Sequence, residues 1–166
     1  VLNGSAGGFV ENDGLFEFQA DLRFYGQNGT GPTFRNRGTL RKSGGAGVAN
    51  VGLAGGYPIN FENFGSLECL GGTIDFAGGT YTQTGTGPAV VSGTGQIRVS
   101  TGIIQLHDVI PNVLLTGGTI VLLPDFQDHG AITNLTLDGA ALGGTNVVTG
   151  TLRWRSGPIN GLLTVQ

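Results

Sequence analysis

The sequence contains no methionine and only one cysteine, Cys69, among its 166 residues. A single cysteine excludes an internal disulfide framework, and the apolar neighbours in "LECLGG" favour a buried, inert thiol. No basic segment leads into an apolar one as in a secretory signal, and no apolar run approaches the ~18 residues that cross a bilayer. We therefore expect no integral membrane segment, and we interpret residues 1–166 as a single domain, a mature or excised portion of a longer chain.

Charged residues are scarce as well, at 11% of the chain against a typical ~25%, and the net charge is −3. The basic residues gather early, at Arg23, Arg35, Arg37, Arg41 and Lys42. Basic residues on alternate strand positions are more typical of a solvated face than of a track for phosphates. We therefore expect no nucleic-acid partner.

Glycine is the residue in excess, with 33 positions, nearly three times the usual ~7% share. Collagen is excluded because the glycines have no period of three, and a disordered linker is excluded by the 39% apolar content. Apolar residues alternate, as at Ile74 and Phe76, which is the period of a strand, and no window of ten residues carries a helical stripe. The composition predicts an all-β fold of short strands and tight turns.

Three segments repeat one pattern, "VENDGLFEF", "FRNRGTLRK" and "FENFGSLEC", which begin at Val10, Phe34 and Phe61. A second series, "GTIDF", "GQIRV" and "GTIVL", begins at the evenly spaced glycines 72, 95 and 118. Strand-length pieces between glycines, recurring at these intervals, predict a right-handed parallel β-helix, a solenoid with coils of about 23–27 residues. An antiparallel sandwich or barrel is the alternative, disfavoured because the motif returns once per repeat.

The repeat places three asparagines, Asn12, Asn36 and Asn63, at one position of successive coils. Stacked amides donate and accept along the stack, so we predict an asparagine ladder, although asparagine also simply suits turn geometry. The same register predicts a set of side chains that point inward: Phe16, Leu40, Leu67, Ile74, Ile97, Ile120 and Trp154.

The segments "FxNxGTLxKSGG", "GTIxFxGGTYTxTGTG" and "TGTLRWRSGPINGLLTV" resemble the repeats of very large bacterial surface and secreted proteins. The resemblance is to autotransporter passenger and filamentous-haemagglutinin-like proteins, and it covers nearly the whole chain. It implies a right-handed parallel β-helix and an extracellular or cell-surface location. It transfers no functional residue, because it consists of glycine, threonine and leucine patterns.

The strongest candidates for hydrolysis of a polysaccharide lie in "PDFQDHG" (Asp125, Asp128, His129) and "LHDV" (His107, Asp108), since such enzymes use paired carboxylates. No Arg or Lys between residues 98 and 153 is available nearby to hold an acidic sugar. We therefore interpret "PDFQDHG" as a loop between coils with solvated charges, and we predict no catalytic residue and no enzymatic activity.

Two histidines and one cysteine, far apart in the sequence, lack the spacing of a zinc site, so neither a metal nor a cofactor is expected. Three sequons, at Asn3, Asn28 and Asn134, permit glycosylation in a host that performs it. The threonines at 80, 82, 84 and 86 would form one row, but no threonine lies at 57 or 103, one repeat away. We interpret this row as structural, which disfavours ice binding.

The segment "GLLTVQ" reads as an apolar strand, and Leu162, Leu163, Thr164 and Val165 are the candidate assembly edge, because an uncovered strand recruits another chain. We expect end-to-end self-association, or continuation into neighbouring repeats of a longer chain. The sequence favours a non-enzymatic extracellular structural or adhesive module, a building block of a surface fibre, sheath or large adhesin. The alternative is a carbohydrate-binding or polysaccharide-degrading β-helix.

Overall fold

A computed structural model describes residues 8–26, 31–84 and 91–166 of the chain. These residues form eighteen strands and no helix, so the predicted all-β class is confirmed. The strands are β1 (Phe9–Asn12), β2 (Leu15–Phe18), β3 (Arg23–Phe24), β4 (Thr33–Asn36), β5 (Thr39–Lys42), β6 (Val48–Val51), β7 (Asn60–Asn63), β8 (Ser66–Cys69), β9 (Thr73–Gln83), β10 (Val91–Ser92), β11 (Gln96–Leu106), β12 (Val113–Leu115), β13 (Thr119–Leu122), β14 (Ile132–Asp138), β15 (Ala141–Gly143), β16 (Asn146–Ser156), β17 (Ile159–Asn160) and β18 (Leu163–Val165).

The strands form three sheets in which every strand pair is parallel. The largest has eleven strands and a spine in the order β1-β4-β7-β9-β11-β13-β15-β17. The other two run β10-β8-β5-β2 and β14-β16-β18. We call each spine strand, with the strands that follow it before the next spine strand, a rung. The first rung is then β1 to β3, and the last is β17 and β18.

The predicted repeat length holds in the first half of the chain. Asn12 pairs with Asn36, and Asn36 pairs with Asn63, which are separations of 24 and 27 residues. In the second half the separation between paired residues is shorter. Ile104 of β11 pairs with Ile120 of β13, because only β12 lies between these two spine strands. The predicted coil length is therefore wrong for this half.

The predicted alignment of "GTIVL" with "GQIRV" is also wrong. Ile120 in "GTIVL" pairs with Ile104 in the second half of β11, whereas Ile97 in "GQIRV" pairs with Val113 of β12. The even spacing of the two segments arises because β11 is one long strand that pairs with β12 along its first half and with β13 along its second. Sequence spacing alone does not distinguish these two partners.

Apolar side chains stack in columns through the interior of the rungs. One column runs in register along the spine through Val10, Phe34, Phe61, Tyr81, Ile104, Ile120, Leu142 and Ile159. Burial raises the pKa of the Tyr81 hydroxyl in this column above its ordinary range. Five side chains predicted to point inward are at most 2% exposed, namely Leu40, Leu67, Ile74, Ile97 and Ile120.

The other two predicted inward residues lie near the ends of the stack. Phe16 is half-buried against the core. Trp154 was predicted to point inward, and it is 60% exposed, so the described residues do not enclose it. Its register partner Leu137 is fully buried, and partners in a parallel pair share a face, so Trp154 faces the interior side. Trp154 is exposed because β18 pairs only with Asn146–Val148 of β16, and no other described strand covers the part of β16 that holds Trp154.

At two of the three Asn-x-Gly corners, those of Gly38 and Gly65, glycine is required for close packing rather than for an unusual dihedral angle. A Cβ atom on Gly38 would overlap the carbonyl oxygen of Gly14, and one on Gly65 would overlap that of Gly38. None of the three motif glycines, Gly14, Gly38 and Gly65, has a positive φ. The motif thus combines an inward amide with a corner tight enough for rungs to stack.

Candidate functional site

The three predicted asparagines are joined by side-chain hydrogen bonds across rungs. Asn12 Nδ2 donates to Asn36 Oδ1 at 2.7 Å, and Asn36 Nδ2 donates to Asn63 Oδ1 at 2.8 Å. Asn63 Nδ2 then donates to Gln83 Oε1 at 3.0 Å, so the ladder contains a fourth member. Sequence reasoning missed Gln83. The signal was its place two residues after Tyr81, since Asn63 likewise follows Phe61 by two residues, and the structure pairs Tyr81 with Phe61.

The ladder also holds the chain at its corners. Asn12 Nδ2 donates to Thr39 O at 3.0 Å, and Asn36 Nδ2 donates to Ser66 O at 3.1 Å, each one rung further on. Both amides therefore join the next side chain and the next corner. Such a network is satisfied and buried, which suits it to fixing register rather than to binding a ligand.

Charged side chains on the outer face alternate in sign from rung to rung. Arg35 lies between Glu62, at 2.8 Å, and Glu11, at 3.8 Å. Arg41 lies in the same way between Glu68, at 2.6 Å, and Glu17, at 3.8 Å. All are partly exposed, so each pair contributes about 0–1 kcal/mol.

These arginines lie partly exposed on the outer face, in keeping with the predicted solvated face, and they also form ion pairs across rungs, which the sequence did not predict. Arg37 is also paired, with its Nε 2.7 Å from Glu11. The acidic partners lie 24 to 27 residues away and come together with the arginines only once the strands stack in register.

Lys42 departs from the predicted solvated face, because its side chain is fully buried. Its Nζ donates to the carbonyl oxygens of Gly44 and Gly45 and lies 3.0 Å from Asp21 Oδ1. The hydrogen bond from Lys42 is the main reason that the pKa of Asp21 lies below its usual value. Cys69 occupies the equivalent position one rung later, where burial raises the pKa of its thiol.

The residues considered for hydrolysis do not converge on one site. His107 Nδ1 lies 2.6 Å from the Asp125 carboxylate, which forms one histidine–carboxylate pair. Asp108 instead accepts a hydrogen bond from the Val109 amide at 2.7 Å. His129 lines a separate cleft of about 530 Å³ beside Pro124, and Asp128 is exposed.

The "PDFQDHG" segment connects β13 to β14 and is tied down at its centre. Phe126 is fully buried, and Gln127 Oε1 accepts hydrogen bonds from the amides of Thr133 and Asn134 at 2.8 and 3.0 Å. The flanking Asp125, Asp128 and His129 are exposed, as the solvated-loop interpretation requires. The segment therefore anchors the beginning of β14.

A cleft of about 290 Å³ lies beside β12 and β14. Its floor is apolar and includes Ile110 and Leu114, and its polar side chains include Asn134, Asp138 and Arg155. Arg155 Nη1 lies 3.3 Å from Asp138 Oδ2. The cleft therefore holds one carboxylate, paired with a guanidinium, and no aromatic ring among its lining residues.

The other predicted positions lie apart from this cleft, except for one sequon. Asn134 is exposed at its rim and accepts a 3.0 Å hydrogen bond from Arg153, whereas the sequons at Asn3 and Asn28 lie outside the described residues. Of the threonine row, Thr86 lies outside them too, and Thr82 pairs with Glu62 and Gln105 rather than with further threonines.

The predicted assembly edge forms β18 and its preceding turn. Leu163, Thr164 and Val165 pair with successive residues of β16 from Asn146. Leu162 is 63% exposed and Val165 is 73% exposed, although the register partner of Val165, Val148, is 3% exposed. The other edge of β18 has no strand partner within the described ranges. This end of the stack exposes both an apolar cross-section and backbone hydrogen-bonding groups.

No group of three or more histidine, cysteine, aspartate or glutamate side chains in the described part of the chain could hold a metal ion. Within the same ranges, no helix has the length and apolar character needed to cross a membrane. Comparison with known proteins finds no matching family model, no matching curated protein and no matching solved structure.

Proposed function

We propose that the chain is a right-handed parallel β-helix and a non-enzymatic extracellular structural or adhesive module, a building block of a surface fibre, sheath or large adhesin. The handedness is supported by sterics, because parallel strands in one sheet are joined by right-handed crossovers in ~98% of cases. The extracellular location is supported by the resemblance of the repeats to bacterial surface proteins. The buried amide ladder suits a part that serves as a rigid rod.

The observation that carries the proposal is the edge of β18 that no described strand covers. Gln166 N donates to Val148 O, so the amides of Val165 and Leu163, one and three residues earlier, point to the opposite edge. An edge with exposed donors and apolar side chains accepts a further strand. Repeated end-to-end addition does not close on itself, and it therefore builds a filament.

Proline at both Leu163 and Val165 is expected to abolish end-to-end association while leaving the earlier rungs folded. Proline removes the outward-pointing amides and is tolerated on an edge strand. The measurement is light scattering across a concentration series, with electron microscopy of the same samples. Thr164→Ala, which keeps both outward donors, is the matched control and should assemble like the parent. Parent and double-proline proteins that remain identical monomers at every concentration would falsify the proposal.

A second candidate function is carbohydrate binding, which the cleft beside β12 and β14 favours. Its apolar floor and the polar groups of Asn134, Asp138 and Arg155 suit a sugar ring with hydroxyl groups. Calorimetric titration with neutral and acidic oligosaccharides tests this role. Binding by a parent protein that stays monomeric, together with its loss in Arg155→Ala, would favour the carbohydrate function over assembly. Release of reducing ends would instead favour a polysaccharide-degrading enzyme.

A further inference from the structure

The first rung exposes the same interior cross-section as the last. Phe16 and Phe24 face inward and are half-buried, whereas their register partners Leu40 and Val51 are at most 2% exposed. The two phenylalanine rings pack edge to face, with centroids 5.4 Å apart. The first rung therefore carries an aromatic end that the described residues leave partly open.

Two further features of the first rung match a rung stacked on its outer side. None of the described residues lies within 4 Å of a Cβ built on Gly14, although the equivalent Gly38 packs against the corner before it. Asn12 Oδ1 accepts a hydrogen bond from the Gly14 amide at 3.3 Å. The equivalent oxygen, Asn36 Oδ1, accepts instead from the side-chain amide of Asn12 on the preceding rung, at 2.7 Å. A further rung could therefore pack its corner against Gly14 and donate a side-chain amide to Asn12 Oδ1.

The two ends also carry opposite charge. Residues 8–26 contain four acidic residues and one basic residue, a net charge of −3. Residues 138–166 contain Arg153, Arg155 and Asp138, which is ion-paired with Arg155, a net charge of +1. Opposite charges on the two ends favour contact of a first rung with a last rung over contact between like ends.

Trp154 is positioned to be the central apolar contact of such a junction. It lies on the interior side of β16 and is 60% exposed. Its indole Nε1 already donates to Gly157 O at 2.8 Å, so burial of the ring leaves no donor without a partner.

Resting on the proposed function, we infer that the partner of the last rung is the first rung of a second copy. In this head-to-tail junction β17 pairs in parallel with β1, and Ile159 lies opposite Val10, which continues the interior column from one copy to the next. Trp154 packs against the aromatic end formed by Phe16 and Phe24, and Arg153 and Arg155 lie towards the acidic first rung.

Trp154 is the only tryptophan of the chain, so its fluorescence reports on the junction directly. Raising the protein concentration should shift its emission to shorter wavelength in parallel with the increase in light scattering, and 1 M NaCl should weaken both changes. Trp154→Ala on β16 and Gly14→Ala on the first rung should each raise the concentration for half-maximal assembly roughly tenfold or more, as for a central interface residue. Ile103→Ala, an exposed apolar residue in the middle of the stack, is the matched control and should leave assembly unchanged.

The outcomes separate this inference from the proposed function. Assembly that is blocked by proline at Leu163 and Val165, but leaves Trp154 emission constant and tolerates both Trp154→Ala and Gly14→Ala, would overturn the head-to-tail junction and keep the structural role. No assembly of the parent at any concentration would overturn both.

Discussion

Asn36→Ala is expected to lower the free energy of unfolding by about 2–4 kcal/mol, because the change removes three hydrogen bonds of a buried network at ~0.5–1.5 kcal/mol each. Asn36 is fully buried, and its side chain both accepts from Asn12 and donates to Asn63. Alanine removes the middle of the ladder: Asn63 Oδ1 and Ser66 O lose the donor that Asn36 supplies, whereas Asn12 Nδ2 keeps its hydrogen bond to Thr39 O.

Urea unfolding followed by circular dichroism measures this loss. Asn134→Ala, at an exposed position on β14, is the control and should change stability by less than ~0.5 kcal/mol. Asn12→Ala should cost less than Asn36→Ala, since Asn12 stands at the end of the ladder and donates to one ladder neighbour. Equal stabilities for the Asn36 and Asn134 variants would show that the ladder adds nothing to stability.

The first half of the fold was predictable from the sequence because one motif carries two constraints. The amide of Asn36 needs a partner at the same height in the next rung, and the corner at Gly38 admits no Cβ. Both constraints recur at the period of the rung, so aligning the motifs also aligned the strands. After Gly65 the ladder closes on Gln83, which keeps the glycine of the motif at position 85 but replaces the asparagine and has glycine instead of an apolar residue at position 87. The register beyond that point depends on apolar columns, which many residues satisfy.

The errors at individual residues share a physical cause, which is that burial depends on neighbouring rungs. Lys42 was assigned to a solvated face by its charge, but the corner carbonyls of Gly44 and Gly45 accept its hydrogen bonds inside the stack. Trp154 was assigned to the core by its alternation, and it does face inward, but no described strand lies over it. Alternation predicts the direction of a side chain, whereas exposure requires knowing what lies above and below.

Gly38→Ala and Gly65→Ala are each expected to lower the free energy of unfolding by about 1–3 kcal/mol, the usual cost of forcing an extra methyl group into a close-packed site. The added Cβ overlaps the backbone of the preceding corner, which cannot move aside as a flexible side chain would. Neither glycine has a positive φ, so the expected loss comes from this overlap and not from dihedral strain.

Gly14→Ala is the matched control for the corner, because it has the same place in the motif and no described atom within 4 Å of its Cβ. At concentrations below assembly it should be neutral or stabilising by up to ~1 kcal/mol, since alanine lowers the entropy of the unfolded chain. Thermal and urea unfolding of the three variants test the comparison. A loss at Gly14 equal to that at Gly38 would mean that the corner demands glycine for its backbone conformation. A loss confined to Gly38 and Gly65 would identify contact between rungs as the reason for glycine at these corners.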